Sequence, residues 1–333
     1  MRSEPIDVDG FREFLTERDL PGEQIEIGVA TAARFAAFAA VYLGRGSTDL
    51  VHAFAAVLIE AGDTTWDHFA AIARYGHFLG DEEIYLTAVD LVDGAEAMDN
   101  LYDRVGQELG EDVRDLVFAG IDLPPLGTAA TDRPSVAAAV MERLEAIVDA
   151  ETCRRLLDPS LRNLPDEWYL EERGKYREVE RFDTYLQRKG DEFLSYLEDL
   201  AESGDLYFTQ KVTPEVVEFV RANPEISHGV RDGTTLYETK IPYDTIGYLT
   251  AENDEERRYR YCHCPWVRES LKGGEVAVSP TFCRCSAGFH KKQWEVILDR
   301  PLEAEIVESV LAGEDRCRIA IHLPEEVVGG APT

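Results

Sequence analysis

The chain has 333 residues, room for about two domains by length, and carries 65 Asp and Glu against 34 Lys and Arg, a net charge of −31. With 44% hydrophobic and 10% aromatic residues it can still bury a core, so its acidity does not mean disorder. Grips on nucleic acid or on an anionic membrane surface are excluded as its main business, because both need clustered Lys and Arg. Only seven of the basic residues are Lys, a bias that matches salt-adapted proteins, where excess charge maintains solubility.

No signal-type apolar run follows Met1, and the nearest thing to a membrane span, 27–44, is Ala-rich with Arg34 inside. It reads as a helix of a soluble protein. A cytoplasmic location is the expectation, where thiols stay reduced, so the six cysteines read as ligands or nucleophiles before disulfides.

From about 10 to 120 apolar residues recur three and four apart, in segments such as 49–61, 66–79 and 82–109. Ser47, Thr48 and Asp49 offer N-caps, and Gly62, Gly80 and Gly110 offer stops. Four to six helices with an Ala-rich centre are predicted. The stretch 121–135, with Pro124, Pro125, Gly127 and Pro134, cannot continue a helix and marks the domain boundary. The division expected is an all-helical bundle over 1–128 and a second domain over 129–333.

Further helices are predicted over 135–149, 151–157 and 172–202, then a short one over 213–222 opened by Thr213 and Pro214. Beyond them 234–240, 257–263, 302–309 and 316–322 alternate β-branched or aromatic residues with polar ones, as strands do. A helix over 287–298 lies among them. The fold class predicted is α+β, with an antiparallel sheet after the helical bundle.

Five of the six cysteines fall between 262 and 317, as two Cys-x-Cys pairs, Cys262/Cys264 and Cys283/Cys285, followed by Cys317. In a strand, residues two apart share a face, so each pair would present both sulfurs to one side, with His263 or Arg284 opposed. Four converging sulfurs suit a soft metal, zinc first or an iron–sulfur cluster. The spacing is neither that of a common zinc ribbon nor that of a ferredoxin, so the pattern points to metal more than to one metal. The local charge agrees: 255–300 holds nine basic and six acidic residues inside a strongly acidic chain. A field of that sign would stabilise thiolates or an anionic ligand.

The run from Cys283 to Pro324 resembles the vinyl-4-reductase-like domain, a ligand-binding fold of a bacteriochlorophyll-synthesis protein and of phenol- and xylene-responsive sensors. The matching pieces are Gly288-Phe289, Arg300-Pro301, Glu308-Ser309 and the closing Gly313 to Ile319 with Cys317 inside it. The stretch 262–271, CHCPWVRESL, is similar to a related prokaryotic family that keeps both Cys-x-Cys pairs. In the phenol sensors the fold holds zinc with three Cys and one Glu. Carried over without gaps, the first and last Cys fall on Cys283 and Cys317, and the other two positions fall on Ile306 and Ser309. The family's zinc site is therefore altered here, and Cys262, Cys264 and Cys285 are read as the available replacements. It implies nothing for residues 1–125, and no ATPase or DNA-binding segment accompanies it.

The leading expectation is thus a cytoplasmic metal-binding protein that binds or senses a small molecule, its metal held by Cys262, Cys264, Cys283 and Cys285 with Cys317 as a fifth candidate. The rival is a metal-dependent hydrolase like the amino-thiazoline-carboxylate hydrolases of the same superfamily, with Glu269 or Glu275 as base on a metal-bound water. An iron–sulfur redox protein is the third. His263 is a ligand only from the opposite side of a turn, His290 reads as helix surface, and Cys153 as a buried helix residue. Trp266, Phe289 and Trp294 read as core or as the wall of an apolar pocket. The helical half is expected to serve dimerisation or to cover the pocket.

Overall fold

A computed structural model describes residues 7–42, 44–274 and 276–329. It has the α+β architecture read from the sequence, a helical N-terminal region followed by a C-terminal region with two small antiparallel sheets. The compact units divide otherwise than at residue 128. One runs through residue 95 and takes in 123–133; the other comprises 96–122 and everything from 134 onward.

The first unit contains α1 (Val8–Thr16), α2 (Gly22–Val41), α3 (Ser47–Glu60), α4 (Trp66–Leu79) and α5 (Glu82–Val92). Thr65 and Asp81 cap α4 and α5 by accepting the N–H groups of His68 and Ile84, and Gly80 stops α4 in the left-handed conformation. The predicted 82–109 helix is broken at Asp93, where the chain leaves helical geometry. Although α2 is long and apolar enough to cross a membrane by length and composition, its Val29, Ala32, Phe35 and Ala39 lie in the core of this unit. Arg133, only 1% exposed, donates to the carbonyls of Leu91, Asp93 and Thr128 and so ties the returning 123–133 segment to the end of α5.

The second unit begins with α6 (Ala97–Leu109) and α7 (Glu111–Val117), and continues through α8 (Arg133–Ile147), α9 (Ala150–Leu157), α10 (Leu170–Arg177) and α11 (Phe182–Ser203). A two-stranded ribbon, β1 (Leu206–Tyr207) with β2 (Gln210–Lys211), leads into α12 (Pro214–Ala222) and α13 (Pro224–Ser227). There follow β3 (Val230–Asp232), β4 (Thr235–Thr239), α14 (Thr245–Thr250), α15 (Asp254–Tyr261), α16 (Arg284–Leu298), β5 (Glu303–Glu308), β6 (Arg318–His322) and α17 (Glu325–Gly329). The second sheet is antiparallel throughout, in the order β3-β4-β6-β5.

Alternation in β4 decides what each face of that sheet carries. Leu236, paired across the ladder with Ile321, enters the core formed with Ala287, Trp294 and Ile297 of α16. Glu238, two residues on, shares that face. The opposite face carries Tyr237 beneath the Arg318 guanidinium and Thr239, whose hydroxyl donates to Glu225 of α13. The segment expected as a strand over 257–263 is instead α15. Asn253 caps it by accepting the Glu256 N–H, three acids fill its first turn and two arginines its last. Capping and dipole complementarity outweigh the short alternation of aromatics.

Candidate thiol site

The strand geometry expected for the Cys-x-Cys pairs is therefore replaced by two turns. Cys262 terminates α15 in an extended conformation, and the chain then turns, the Cys264 carbonyl accepting the N–H groups of Val267 and Arg268 at 3.1 and 2.8 Å. Ser279 and Pro280 open a short 3-10 turn that ends at Cys283, and Cys285 follows in the first turn of α16. Cys317 stands just ahead of β6, its carbonyl accepting the Lys240 N–H.

These five cysteines, from three separate segments, are electrostatic neighbours. Cys262 lies within range of Cys264, Cys283 and Cys317; Cys264 of Cys285; Cys283 of Cys317 and Cys264. Backbone N–H groups near four of the sulfurs favour the thiolate: that of Cys264 at Cys262, of Trp266 at Cys264, of Leu161 at Cys285 and of Val310 at Cys317. Cys283 receives the Ser309 hydroxyl at 3.2 Å. Burial dominates the thiol equilibria: it pushes Cys264 up to about 12 and raises Cys262, Cys283, Cys285 and Cys317 as well. Of the five, Cys262 is buried as a residue and the other four are of intermediate exposure.

The cations around the sulfurs differ from those expected. In the basic stretch 255–300, Arg257, Arg260, Arg268, Lys272, Arg284, Lys291, Lys292 and Arg300 all pair with carboxylates. The cation common to the cluster is Lys240, which follows β4 and acts on Cys264, Cys283, Cys285, Cys317 and His263. Its ammonium lies 5.4 Å from the centre of the Phe289 ring, and among the described residues no carboxylate pairs with it. Arg104 and Arg162 add to the field at Cys285. Arg104 at the same time holds the 156–160 turn through the carbonyls of Leu156, Pro159 and Ser160.

His263 sits among the cysteines in the neutral form, its Nε2–H donating to the Ile241 carbonyl at 2.7 Å. Burial, with the nearby Lys240 charge, pushes its pKa down to about 3. His290 is not the surface residue expected. Its side chain is 12% exposed and its Nδ1 lies 2.8 Å from Oε2 of Glu238, itself almost wholly buried. Trp294 Nε1 and Gln293 Nε2 also donate to the Glu238 carboxylate, at 2.9 Å and from 3.3 Å. Since a carboxylate only accepts, Nδ1 carries the proton, and the opposite atom, Nε2, is buried without a hydrogen-bond partner.

The remaining residues take simpler places. Glu269 accepts from Tyr259 and pairs with Arg268 and Lys272, which engages both its oxygens. Glu275 lies outside the described residues. Cys153 is buried in α9, with its thiol pushed up to about 11, chiefly by burial. Among the described residues no donor serves its sulfur. Trp266 and Trp294 are core residues, while Phe289 is half-buried under Lys240. Lys240 and Glu238 escaped the sequence reading. The signal for both was two charged residues spaced two apart after Leu236, Glu238 within β4 and Lys240 just past its end.

Among the described residues no three His, Cys, Asp or Glu side chains already stand at the spacing that grips a metal ion. The donor chemistry nonetheless fits a soft metal: five cysteines within electrostatic range of one another, one sulfur bonded by the Ser309 hydroxyl. No family model matches the chain, and no curated protein or solved structure gives a significant match.

Proposed function

We propose that the chain is a metal–thiolate protein whose cysteine cluster holds a soft metal and serves to bind or sense a small molecule. The observation that carries this reading is the gathering of five cysteines from three segments within electrostatic range, with the Ser309 hydroxyl donating to the Cys283 sulfur at 3.2 Å and the Lys240 charge acting on four of the five. A thiol buried only for packing needs no donor, and Cys153 has none among the described residues. A thiolate does need one, because N–H···S and O–H···S bonds and nearby cations offset the loss of water around its charge. Lys240, Arg104 and Arg162 act in the same direction.

When bound, a metal supplies the positive charge that turns buried thiols into thiolates, so uptake releases protons and adds directly to stability. Zinc is the first choice for Cys262, Cys264, Cys283, Cys285 and Cys317, and an iron–sulfur cluster is the alternative. The resemblance to the vinyl-4-reductase-like domain adds support. Of the positions carried over from its zinc site, Cys283, Ser309 and Cys317 are neighbours here.

Purification without oxygen, with metal counted per chain and the visible spectrum recorded, tests the proposal. The expected result is one zinc per chain in a colourless protein, or iron with a brown colour if the cluster is the true occupant. Protein that takes up neither zinc nor iron, and whose Cys262→Ser and Cys283→Ser variants unfold at the wild-type midpoint, would contradict it.

A further inference from the structure

We propose a second ligand site, within the first unit: a cavity among α1, α4 and α5 that takes a small organic carboxylate with an apolar body about the size of two fused rings. Its volume is about 340 Å³, inside the range of small-molecule sites. Positions three and four apart from Trp66 to His77 on α4, and from Tyr85 to Val92 on α5, turn one face of each helix to it. Phe14 of α1 and Arg18, just past that helix, complete the lining.

Short side chains make the space. Gly76 lets α4 and α5 touch near the turn that joins them, since a Cβ there would lie 2.7 Å from the Tyr85 nitrogen. Beyond that contact the cavity positions include Ala70, Ala73 and Ala88, too short to fill it, while Trp66, Phe69 and Tyr85 give it aromatic surface. An apolar cavity of about 150 Å³ admits benzene, so this one has room for about two rings.

An apolar hollow alone names no ligand, but the charge around it does. The chain carries 65 acidic and 34 basic residues, yet the described residues lining this cavity include Arg18, Arg74 and His77 and no Asp or Glu. Elsewhere in the unit Arg12 pairs with Glu26 and Arg34 with Asp63, and Arg133 is spent on backbone carbonyls. Arg74 is half-buried and has no partner among the described residues. Arg18 lies 3.5 Å over the Phe14 ring and uses Nη1 on the Phe14 carbonyl at 2.9 Å, which leaves its other N–H groups for a ligand. A guanidinium receives a carboxylate through two parallel N–H donors, and one stacked on a ring is already oriented for it. The arginines and the aromatic walls thus complement the two halves of one acid, its carboxylate and its rings.

The test is calorimetric titration of the full-length protein, at low ionic strength, with naphthoate, with its neutral carboxamide and with acetate. Wild type should bind one naphthoate per chain, the carboxamide about tenfold or more weakly, and acetate not detectably. Arg74→Met should weaken naphthoate about 10–100-fold, the scale of a lost charge-assisted hydrogen bond, and leave the carboxamide affinity unchanged. Ala70→Phe fills the cavity and should weaken both ligands. Arg34→Met removes a cation of the same unit outside the cavity and should alter neither. Naphthoate bound no more tightly than its carboxamide would overturn the proposal. So would naphthoate binding that survives both Arg74→Met and Ala70→Phe, or wild-type protein that binds none of the three. Should Ala70→Phe not fold, the acid-against-amide comparison in Arg74→Met decides by itself.

Discussion

At Ser309 one hydroxyl has two tasks: it donates to the Cys283 sulfur and accepts the Leu311 N–H, which starts the turn leading to Cys317. Ser309→Ala removes both bonds and should cost about 1 kcal/mol in urea unfolding, with zinc held about tenfold more weakly in a chelator competition. Cys153→Ala is the contrasting change. It opens a small apolar void in α9, costing about 1 kcal/mol, and metal content should not change. Glu225 gives the pH dependence. Burial raises its pKa, but hydrogen bonds from Arg318 and Thr239 and the charges of Arg318 and Arg316 outweigh that, and its value falls below the ordinary 4.5. A carboxyl lowered by folding stabilises the native state above its unfolded pKa and loses that contribution as pH falls through the folded one. The difference in urea midpoint between wild type and Glu225→Gln should therefore be largest near neutrality and shrink below about pH 4.5. A difference that grows in acid would show that Glu225 does not carry this linkage.

Among the elements, α16 is the one on which the site depends. It covers the β4–β6–β5 sheet through Trp294 and Ile297, carries Cys285 and His290, and meets the 158–160 turn at Gly288. A Cβ on Gly288 would collide with the Asp158 carbonyl and lie 2.6 Å from the Ser160 nitrogen, both backbone atoms that cannot swing aside. Gly288→Ala should cost about 1–3 kcal/mol and displace the Leu161 N–H from Cys285, lowering zinc uptake more than its stability loss alone would. Equal stability and unchanged metal content would contradict that coupling. In the first unit, Arg133→Met would strand the buried carbonyl of Leu91 and the part-buried ones of Asp93 and Thr128. A loss of about 1–3 kcal/mol is expected, the cost of an unmet buried acceptor. Long periodic helices such as α3 and α4 were legible in the sequence, as were β4, β5 and β6 from alternation. Residues 257–263 were misread because four residues of alternating aromatics looked like a strand, while Asn253 with Asp254 to Glu256 already spelled a helix start. That five cysteines fall in one part of the chain was legible from their spacing. Their surroundings were not, because Leu161, Val310, Ser309 and the cation Lys240 are distant in sequence and come near the sulfurs only through the fold.

Over the whole molecule, the charge of −31 is a background against which a single ammonium matters. Like-charge repulsion of that size weakens the compact state and is screened as ionic strength rises. Thermal unfolding should therefore shift upward by several degrees between about 0.1 and 1 M KCl, where the screening length falls from roughly 10 to 3 Å; a flat or falling midpoint would contradict it. The path of the chain was less legible than its charge. The Pro-rich stretch after residue 121 was read as the place where one domain ends, yet 123–133 returns to the first unit while 96–122 belongs to the second. Local composition marks where a helix must stop and says nothing of where the next segment packs. The central claim remains that the five-cysteine cluster takes a soft metal and that folding draws on it. Its most direct test is thermal unfolding of the anaerobically purified protein with and without a strong chelator. A ligand held at about a thousandfold excess over its Kd adds about 4 kcal/mol. The account predicts that the chelator lowers the wild-type midpoint by several degrees, that added zinc restores it, and that Cys283→Ser responds weakly or not at all. A wild-type midpoint unmoved by chelator and by zinc would contradict it.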